Sequence, residues 1–500
     1  MLDVINVSEG DESRISGVSD LPCLHFRRDP QLKGMEQMSH LDPSSFTEIK
    51  IEECSSFKRC QLDLLPRVST LTIEHCPNLE SLCIGEGPLP ALCHLTISHC
   101  PNLVSFPKGG LAASHLTRLV LEGCSYLKSL PENMHSLLPS LQNLQLISLP
   151  EVDSFPEGGL PSNLNTLWIV DCIKLKVCGL QALPSLSYFR FTGNEVESFD
   201  EETLPSTLTT LEINRLENLK SLDYKELHHL TSLQRLSIEG CPKLESISEQ
   251  ALPSSLEFLY LRNLESLDYM GLHHLTSLYT LKIKSCPKLK FISEQMLRSS
   301  HEYQGLHHLI SLRNLRIESF PKLESISELA LPSSLEYLHL CKLESLDYIG
   351  LQHLTSLHRL KIESCPKLES LLGLPSSLEF LQLLDQQERD CKKRWCFTSH
   401  GKMKIRRSLK LESFQEGTFP CSLVDLEIWV LEDMEYSSPK LESVPGEGLP
   451  FSLVSFKISA RINLKSLTGL LHPPSLRELI VRSLCTCPEK RCPNLLLDIR

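Results

Sequence analysis

The 500-residue chain carries 50 lysines and arginines against 62 aspartates and glutamates, and its formal net charge of −12 is spread along the whole length. Because an acidic chain repels a phosphate backbone, we predict no general binding to nucleic acid. The first residues lack the basic start and apolar run of a signal peptide, and no stretch reaches the roughly 18 apolar residues of a membrane helix. We therefore expect a cytoplasmic protein without membrane insertion.

Residues 1–40 show no repeat and are predicted to be an N-terminal flanking segment. A recurring string then runs through residues 41–384, for example Leu92-x-x-Leu95-x-Ile97-x-x-Cys100-Pro101-x-Leu103. This is the pattern of the leucine-rich repeat. Its third apolar position falls at Ile51, Ile73, Ile97, Leu121, Leu146, Ile169, Phe191, Ile213, Ile238, Leu261, Ile283, Ile317, Leu340, Ile362 and Leu383, and in looser copies at Ile428, Ile458 and Val481.

Each copy alternates apolar and polar residues with a period of two, which predicts one short strand per repeat. Stacked strands form a parallel sheet, and segments such as Ser105-Phe106-Pro107-Lys108-Gly109-Gly110-Leu111 hold too much proline and glycine for regular helices. We predict an α/β leucine-rich-repeat solenoid with its sheet on the concave face. Irregular loops and short turns should form the convex face, with low helix content.

A longer repeat overlies the first. Glu226-Leu227-His228-His229-Leu230 is followed 79 residues later by Gly305-Leu306-His307-His308-Leu309, and Leu252-Pro253-Ser254-Ser255-Leu256 by Leu331-Pro332-Ser333-Ser334-Leu335. Residues 224–302 and 303–381 are therefore predicted to be an internal duplication.

Eight of the 20 cysteines occupy one repeat position, where a small side chain is expected to pack inward at a tight bend. A zinc site would instead gather ligands at one point, so we predict no metal and no cofactor. We expect the thiols to be reduced, since the chain is neither short nor visibly secreted. The eight are Cys54, Cys76, Cys100, Cys124, Cys172, Cys241, Cys286 and Cys365.

The histidine pairs His228-His229, His273-His274 and His307-His308 recur at one repeat position. An active site is usually singular, so we interpret them as loop residues copied with the repeat. The sequence contains no phosphate-loop, nucleophile-elbow or H-E-x-x-H motif. We predict that the protein is not an enzyme and has no catalytic residues.

Outward strand positions are the candidates for contact with a protein partner, because they point away from the core. Their mixture of arginine, lysine and tyrosine resembles the composition of interfaces, although an ordinary solvated sheet face would also carry it. The predicted partner-binding residues are Arg235, Glu239, Phe258, Tyr260, Arg262, Lys282, Lys284, Arg316, Tyr337, His339, Arg359 and Lys361.

The repeat pattern breaks at residues 385–408, which we predict to be a basic inserted loop, followed by degenerate repeats and a cap at 409–500. Three interpretations of this segment stay open: a docking site for an acidic partner, a nuclear-localisation signal, or an ordinary solvated loop. Cys391-x4-Cys396-x3-His400 and Cys485-x-Cys487-x4-Cys492 come near metal spacing, but each offers only three ligands. The basic residues are Arg389, Lys392, Lys393, Arg394, Lys402, Lys404, Arg406 and Arg407.

The repeats resemble the leucine-rich-repeat region of plant NB-ARC disease-resistance proteins, especially the coiled-coil subclass. Ile97-x-x-Cys100-Pro101-Asn102-Leu103-Val104-Ser105-Phe106-Pro107-Lys108-Gly109-Gly110-Leu111 and Ser154-Phe155-Pro156-Glu157-Gly158-Gly159-Leu160-Pro161 carry the likeness, which covers roughly residues 41–480. The resemblance implies recognition of a pathogen effector or a guarded host protein, and contact with a nucleotide-binding domain. That domain and its phosphate loop are not in the sequence, so nucleotide binding does not carry over.

An intracellular adaptor, such as the substrate-recognition arm of a ubiquitin ligase, is the alternative function. It predicts an F-box or comparable helix pair before Ile51, and residues 1–40, with Pro22 and Pro30, do not have that character. An extracellular receptor ectodomain predicts a signal peptide and many glycosylation sequons, and the sequence holds one sequon, at Asn6. The plant defence module is therefore the preferred hypothesis.

Overall fold

A computed structural model describes most of the chain, which divides into two compact units, Met1–Cys241 (unit 1) and Pro242–Arg500 (unit 2). Each unit is described by itself. The described residues are 23–38, 46–83, 89, 91–198, 203–222, 227–248, 250–289, 306–326, 330–368, 374–384, 401–406, 423–429, 450–460, 474–483 and 495–498.

Unit 1 is built on a parallel sheet whose strands follow one another in chain order. A separate short pair, β3 with β5, lies outside this sheet, as does β12. The strands of unit 1 are β1 (Cys23–Arg27), β2 (Glu48–Glu52), β3 (Arg59–Gln61), β4 (Thr70–Glu74), β5 (Ser81–Cys83), β6 (His94–Ser98), β7 (Arg118–Glu122), β8 (Asn143–Ile147), β9 (Thr166–Val170), β10 (Tyr188–Thr192), β11 (Thr210–Asn214), β12 (Ser221–Leu222) and β13 (Arg235–Glu239).

Unit 2 is also built on a main sheet with short strand pairs outside it. Its main sheet is parallel until the last strand, which turns antiparallel, and two short pairs lie outside it, β14 with β16 and β19 with β21. The strands of unit 2 are β14 (Ser246–Ile247), β15 (Phe258–Arg262), β16 (Tyr269–Met270), β17 (Thr280–Lys284), β18 (Asn314–Glu318), β19 (Ser325–Ile326), β20 (Tyr337–Cys341), β21 (Tyr348–Ile349), β22 (Arg359–Glu363), β23 (Phe380–Leu384), β24 (Gly401–Arg406), β25 (Leu423–Trp429), β26 (Ser455–Ala460), β27 (Glu478–Ser483) and β28 (Leu495–Asp498).

Strand alternation explains where each core lies. In β4, for example, Leu71 and Ile73 are fully buried while the flanking Thr70, Thr72 and Glu74 stay half-exposed. Neighbouring strands pair in register, so the same repeat position forms a continuous row, with Ile51 beside Ile73. Slipping a strand by one residue would expose its leucines, which is why the buried face holds the register.

Left-handed backbone ends every five-residue strand of the main sheets from β1 to β22. The residue after each strand has a φ between 51° and 66°, and the amide of most of these residues donates to the last carbonyl of the next strand, as Glu53 does to Glu74 at 2.9 Å. These residues are Arg28, Glu53, His75, His99, Gly123, Ser148, Asp171, Gly193, Arg215, Gly240, Asn263, Ser285, Ser319, Lys342 and Ser364.

Turns and short helical pieces return the chain to the next strand. The α-helix Met134–Leu137 spans a single turn. Further helical pieces are 3₁₀ turns at Met35–Met38, Leu62–Leu64, Leu180–Ala182 and Leu306–His308. The predicted parallel-sheet leucine-rich-repeat solenoid with low helix content is therefore confirmed.

Every predicted strand marker, from Ile51 to Val481, lies in a strand of a main sheet. Two further strands lie where the sequence analysis placed other features. Strand β1 lies within the predicted flank 1–40 and pairs with β2. Strand β24 lies within the predicted basic loop 385–408 and pairs with β23 and β25, because Met403 alternates with Lys402 and Lys404 and is buried. The assignment of Gly401–Arg406 to a loop is thus corrected, while the remaining domain boundaries stay predictions.

Candidate partner-binding surface

The predicted partner-binding residues of unit 2 share the outward face of one block of its main sheet, from β15 to β22. We call this block the ladder face. The parallel register arranges its side chains in three rows that cross the strands. The first row is Phe258, Thr280, Asn314, Tyr337 and Arg359; the second is Tyr260, Lys282, Arg316, His339 and Lys361; the third is Arg262, Lys284, Glu318, Cys341 and Glu363.

The ladder face is basic, although the whole chain is acidic. Six arginines and lysines stand there against two carboxylates, Glu318 and Glu363. Aromatic rings accompany the charges, since Lys282 Nζ lies 5.2 Å from the centre of the Phe258 ring. Of the remaining predicted residues, Arg235 and Glu239 lie on β13 in unit 1 and belong to its sheet.

Glu318 is the anionic centre of the ladder face. It is 4 % exposed, and its two carboxylate oxygens contact Lys284 Nζ at 2.6 Å and Arg316 Nη2 at 2.7 Å. Burial alone would raise the pKa of Glu318, but the two ion pairs outweigh burial and lower the pKa below its ordinary value. Part of the positive charge of the ladder face is therefore neutralised by Glu318.

A second cluster, at His339, was only partly anticipated. His339 Nε2 lies 3.5 Å from Glu363 Oε2, and Lys361 Nζ lies 3.1 Å from the same oxygen. Burial and the positive charges of Lys361 and Arg316 lower the pKa of His339 to about 4, against the opposing pull of Glu363. Burial, followed by the nearby carboxylates, raises the pKa of Cys341 to about 11.

Sequence reasoning identified His339 as a surface residue but missed its relation to Cys341 and Glu363. The signal is present in the chain: His339 and Cys341 both occupy outward positions of one strand, and Glu363 occupies the position of Cys341 in the next repeat. Recognising it requires comparing the outward positions of adjacent repeats rather than counting cysteines along the chain.

Unit 1 carries an aromatic and cationic cluster of its own, which the sequence analysis did not name. The Arg190 guanidinium carbon lies 5.3 Å from the centre of the Trp168 ring, and Tyr188 stands beside that ring at 6.3 Å. Trp168 Nε1 and Arg190 Nε are buried without a hydrogen-bond partner among the described residues. Burial and then Glu212 raise the pKa of Tyr188. Tryptophan, tyrosine and arginine are the residues that most often dominate binding energy at interfaces.

The eight cysteines of the repeat position are all fully buried, which confirms their predicted inward packing. Each thiol lies 3.4–3.7 Å from the carbonyl oxygen two residues earlier, as Cys172 does from Val170 at 3.5 Å. Burial raises the pKa of Cys172 to about 11, so the thiol stays neutral. In the repeat after Cys172 the same position is held by Asn194, whose Nδ2 donates to the Cys172 carbonyl at 3.1 Å.

The copied histidines stabilise the contact between successive repeats. His229 Nε2 donates to the Leu204 carbonyl at 2.7 Å, and His274 Nε2 donates to the Leu252 carbonyl at 2.6 Å. His353, at the same position of a later repeat, donates to Leu331 at 2.9 Å. Burial lowers the pKa of His307, with a smaller effect of His308.

Several sequence features lie outside the described residues, namely Cys391, Cys396 and His400, the group Cys485, Cys487 and Cys492, and the basic residues 389–394 and Arg407. Among the described residues there is no helix long and apolar enough to cross a membrane.

One strand per repeat, a left-handed residue after the strand and an inward cysteine or asparagine define a leucine-rich-repeat solenoid. No family model and no curated protein matches the chain. Among solved structures it is similar to TLR13 in its complex with ssRNA13 (18 % identity, TM-score 0.42, covering 88 % of this chain and 73 % of that one). It is also similar to YopM from Yersinia enterocolitica WA-314, with 21 % identity and a TM-score of 0.41, covering 87 % of this chain and 87 % of that one. A third similar structure is an LRR protein of Leptospira interrogans, with 17 % identity and a TM-score of 0.38, covering 90 % of this chain and 93 % of that one.

Proposed function

We propose that this protein is a recognition module that binds a protein partner through the ladder face of unit 2, and that the partner presents an acidic surface. The observation that carries the proposal is the excess of four positive charges on that face of a chain whose net charge is −12. Phe258, Tyr260 and Tyr337 supply aromatic contact area within the same face. Electrostatic complementarity of this kind speeds association and selects partners.

We further propose a role in plant defence, in which the partner is a pathogen effector or a guarded host protein. Support comes from the Cys-Pro and Phe-Pro-x-Gly-Gly-Leu strings of the repeats, which resemble those of cytoplasmic disease-resistance proteins. A nucleotide-binding domain of a resistance protein is a second proposed contact. The role assigned to the repeats is binding, and no catalytic step is attributed to them.

The test compares two double variants of the full chain in a plant cell-death assay with a panel of matched effectors. Lys282→Glu with Arg359→Glu reverses charge on the ladder face, whereas Lys288→Glu with Lys322→Glu makes the same change at exposed turn residues. We expect the first variant to lose the response and its co-precipitated partner, and the second to keep both.

Equal responses from both variants, at equal protein levels, would overturn the ladder face as the binding surface. A response that never depends on any effector or host protein, in any variant, would overturn the defence role. A third variant, Trp168→Ala, tests whether the cluster on unit 1 contributes to the same interaction.

A further inference from the structure

Three potential metal ligands meet on the ladder face where β20 pairs with β22. His339 and Cys341 are two residues apart on β20, so alternation directs both side chains to the outward face. The parallel register sets Glu363 opposite Cys341. One nitrogen, one sulfur and one carboxylate oxygen of the three residues all lie within 4.8 Å of one another.

The spacing is close to that of a tetrahedral zinc site. Zinc binds nitrogen and oxygen at about 2.0–2.2 Å and thiolate at about 2.3 Å, which places the ligand atoms roughly 3.3–3.7 Å apart. His339 Nε2 and Glu363 Oε2, 3.5 Å apart, already have this separation. Small side-chain rotations would bring the sulfur of Cys341 into the same range.

The nitrogen that would bind the metal is buried, and its contact with Glu363 is too long and poorly directed to be a hydrogen bond. His339 is 3 % exposed, and its Nε2 has no hydrogen-bond partner among the described residues. Buried polar atoms are nearly always paired, and one that is not calls for an explanation, of which a bound ion is one. Cys341 is equally buried, at 3 % exposed, which keeps bulk water from competing for the ion.

The internal duplication shows that the fold itself does not require these three residues. The two copies, 224–302 and 303–381, share their apolar core positions, but the positions of all three potential ligands differ between them. The residues that correspond to His339, Cys341 and Glu363 in the first copy are Tyr260, Arg262 and Lys284.

We propose that His339, Cys341 and Glu363 bind one Zn²⁺ ion on the ladder face of unit 2. A donor set of imidazole nitrogen, thiolate sulfur and carboxylate oxygen suits zinc, whereas calcium and magnesium require oxygen ligands. Cys341 binds as the thiolate and releases its proton to solvent, so the two anionic ligands neutralise the charge of the ion. Three protein ligands leave a fourth position for water or for a partner side chain.

Lys361 competes with the metal for Glu363. Its Nζ lies 3.1 Å from Glu363 Oε2, and its positive charge repels a cation at the same place. Replacing Lys361 with methionine removes both effects and keeps the length of the side chain. This change should therefore tighten zinc binding, which a merely structural role of the cluster does not predict.

The experiment titrates metal-free full-length protein with Co²⁺ as a spectroscopic probe and displaces it with Zn²⁺. The wild type should show a thiolate-to-cobalt charge-transfer band that Cys341→Ser removes. Glu363→Gln should weaken Zn²⁺ binding at least about tenfold, and Lys361→Met should strengthen it. Zn²⁺ should raise the melting temperature of the wild type and not that of Cys341→Ser.

Controls separate this site from the other thiols and from misfolding. Cys178→Ser removes an exposed cysteine of unit 1 and should leave the cobalt band unchanged. The triple change His339→Tyr, Cys341→Arg and Glu363→Lys installs the residues of the other copy, so it should fold and bind one metal fewer. A wild-type band that persists in Cys341→Ser, or an equal stoichiometry in the wild type and the triple variant, would overturn the proposal.

Discussion

At the scale of single residues, the left-handed position after each strand shows how a repeat tolerates local strain. Only Gly123, Gly193 and Gly240 of the positions described above are glycine, although a left-handed backbone costs other residues roughly 1–2 kcal/mol. What the conformation provides is an amide aimed at the next strand, such as that of Ser285, which donates to Glu318 at 2.9 Å. Cumulative bonds between repeats offset the strain of each residue.

Ser285→Gly should therefore stabilise unit 2 by about 0.5–1 kcal/mol, because glycine adopts a positive φ without a steric penalty. Ser285→Val should destabilise it by about 1–2 kcal/mol. Hydrogen exchange of the β17 and β18 amides measures the local effect. Gly240→Ala is the reverse control in unit 1, where the added carbon would meet Arg215 at an ordinary 3.5 Å, so only backbone strain changes. Equal effects of Gly and Val at position 285 would contradict this explanation.

The cysteine position yields a second prediction, because Asn194 shows what else fits there. Its Nδ2 donates to the carbonyls of Cys172 and Leu175 at 3.1 and 3.3 Å. In Cys172→Asn the amide should reach the equivalent carbonyls of Leu149 and Val152, and stability should change by less than about 1 kcal/mol.

Cys172→Asp is the matched variant for the same position, because it has the shape of asparagine but lacks the donating amide. It would place a carboxylate against backbone carbonyls at a site that is 0 % exposed, and it should cost about 3 kcal/mol or more. Thermal denaturation of both variants measures the difference. An asparagine variant as unstable as the aspartate variant would show that the thiol has a role that the amide cannot replace.

At the scale of strands, the ion pair of Lys284 with Glu318 joins β17 to β18, while Arg316 pairs with Glu318 within β18. The folded-state pKa of Glu318 is lowered, so its stabilising effect is complete above the unfolded pKa of about 4.3 and is lost as the pH falls through the lower folded pKa. Glu318→Gln should cost about 1–3 kcal/mol at pH 7. The difference from the wild type should shrink below about pH 4.

Urea denaturation of the wild type and Glu318→Gln across pH 3 to 7 measures that difference. The control is Glu324→Gln, since Glu324 is exposed and its replacement should change stability little at either pH. A Glu318→Gln cost that stays constant down to pH 3 would mean that packing, rather than charge, gives this residue its effect.

Alternation along the chain was enough to predict the strands, because burial of every second residue is a local pattern. The ladder face could be predicted only in part, since its neighbours come from different repeats. Lys282 lies beside Arg316, across a repeat that is longer than the others, and no local pattern sets that distance. The contact of Arg190 with Trp168 and the grouping of His339 with Glu363 were missed for the same reason. Strand β1 was missed because residues 1–40 contain no copy of the full repeat string.

At the scale of the whole molecule, the apolar residues that stabilise the fold and the charged residues of the ladder face occupy opposite faces of the strands. The cores are rows of leucine and isoleucine contributed one repeat at a time, whereas the basic residues of the ladder face come from four of its five strands in an acidic chain. Residues of the ladder face can therefore vary without disturbing the core, as the difference between Tyr260 and His339 in the two copies shows.

A core that grows by repeats should also unfold by repeats. Leu144 is fully buried in β8, between β7 and β9, and Leu144→Ala should remove about 2–5 kcal/mol of local stability by leaving a cavity. In a solenoid each repeat contacts only its neighbours, so faster hydrogen exchange should appear in β7, β8 and β9 and fade before β2 in the same unit. Leu64→Ala, at a side chain 39 % exposed, is the control and should alter little. Faster exchange in β2 as well, by the same factor as in β8, would mean that unit 1 unfolds as a single cooperative block, and the nearest-neighbour account of its stability would then fail.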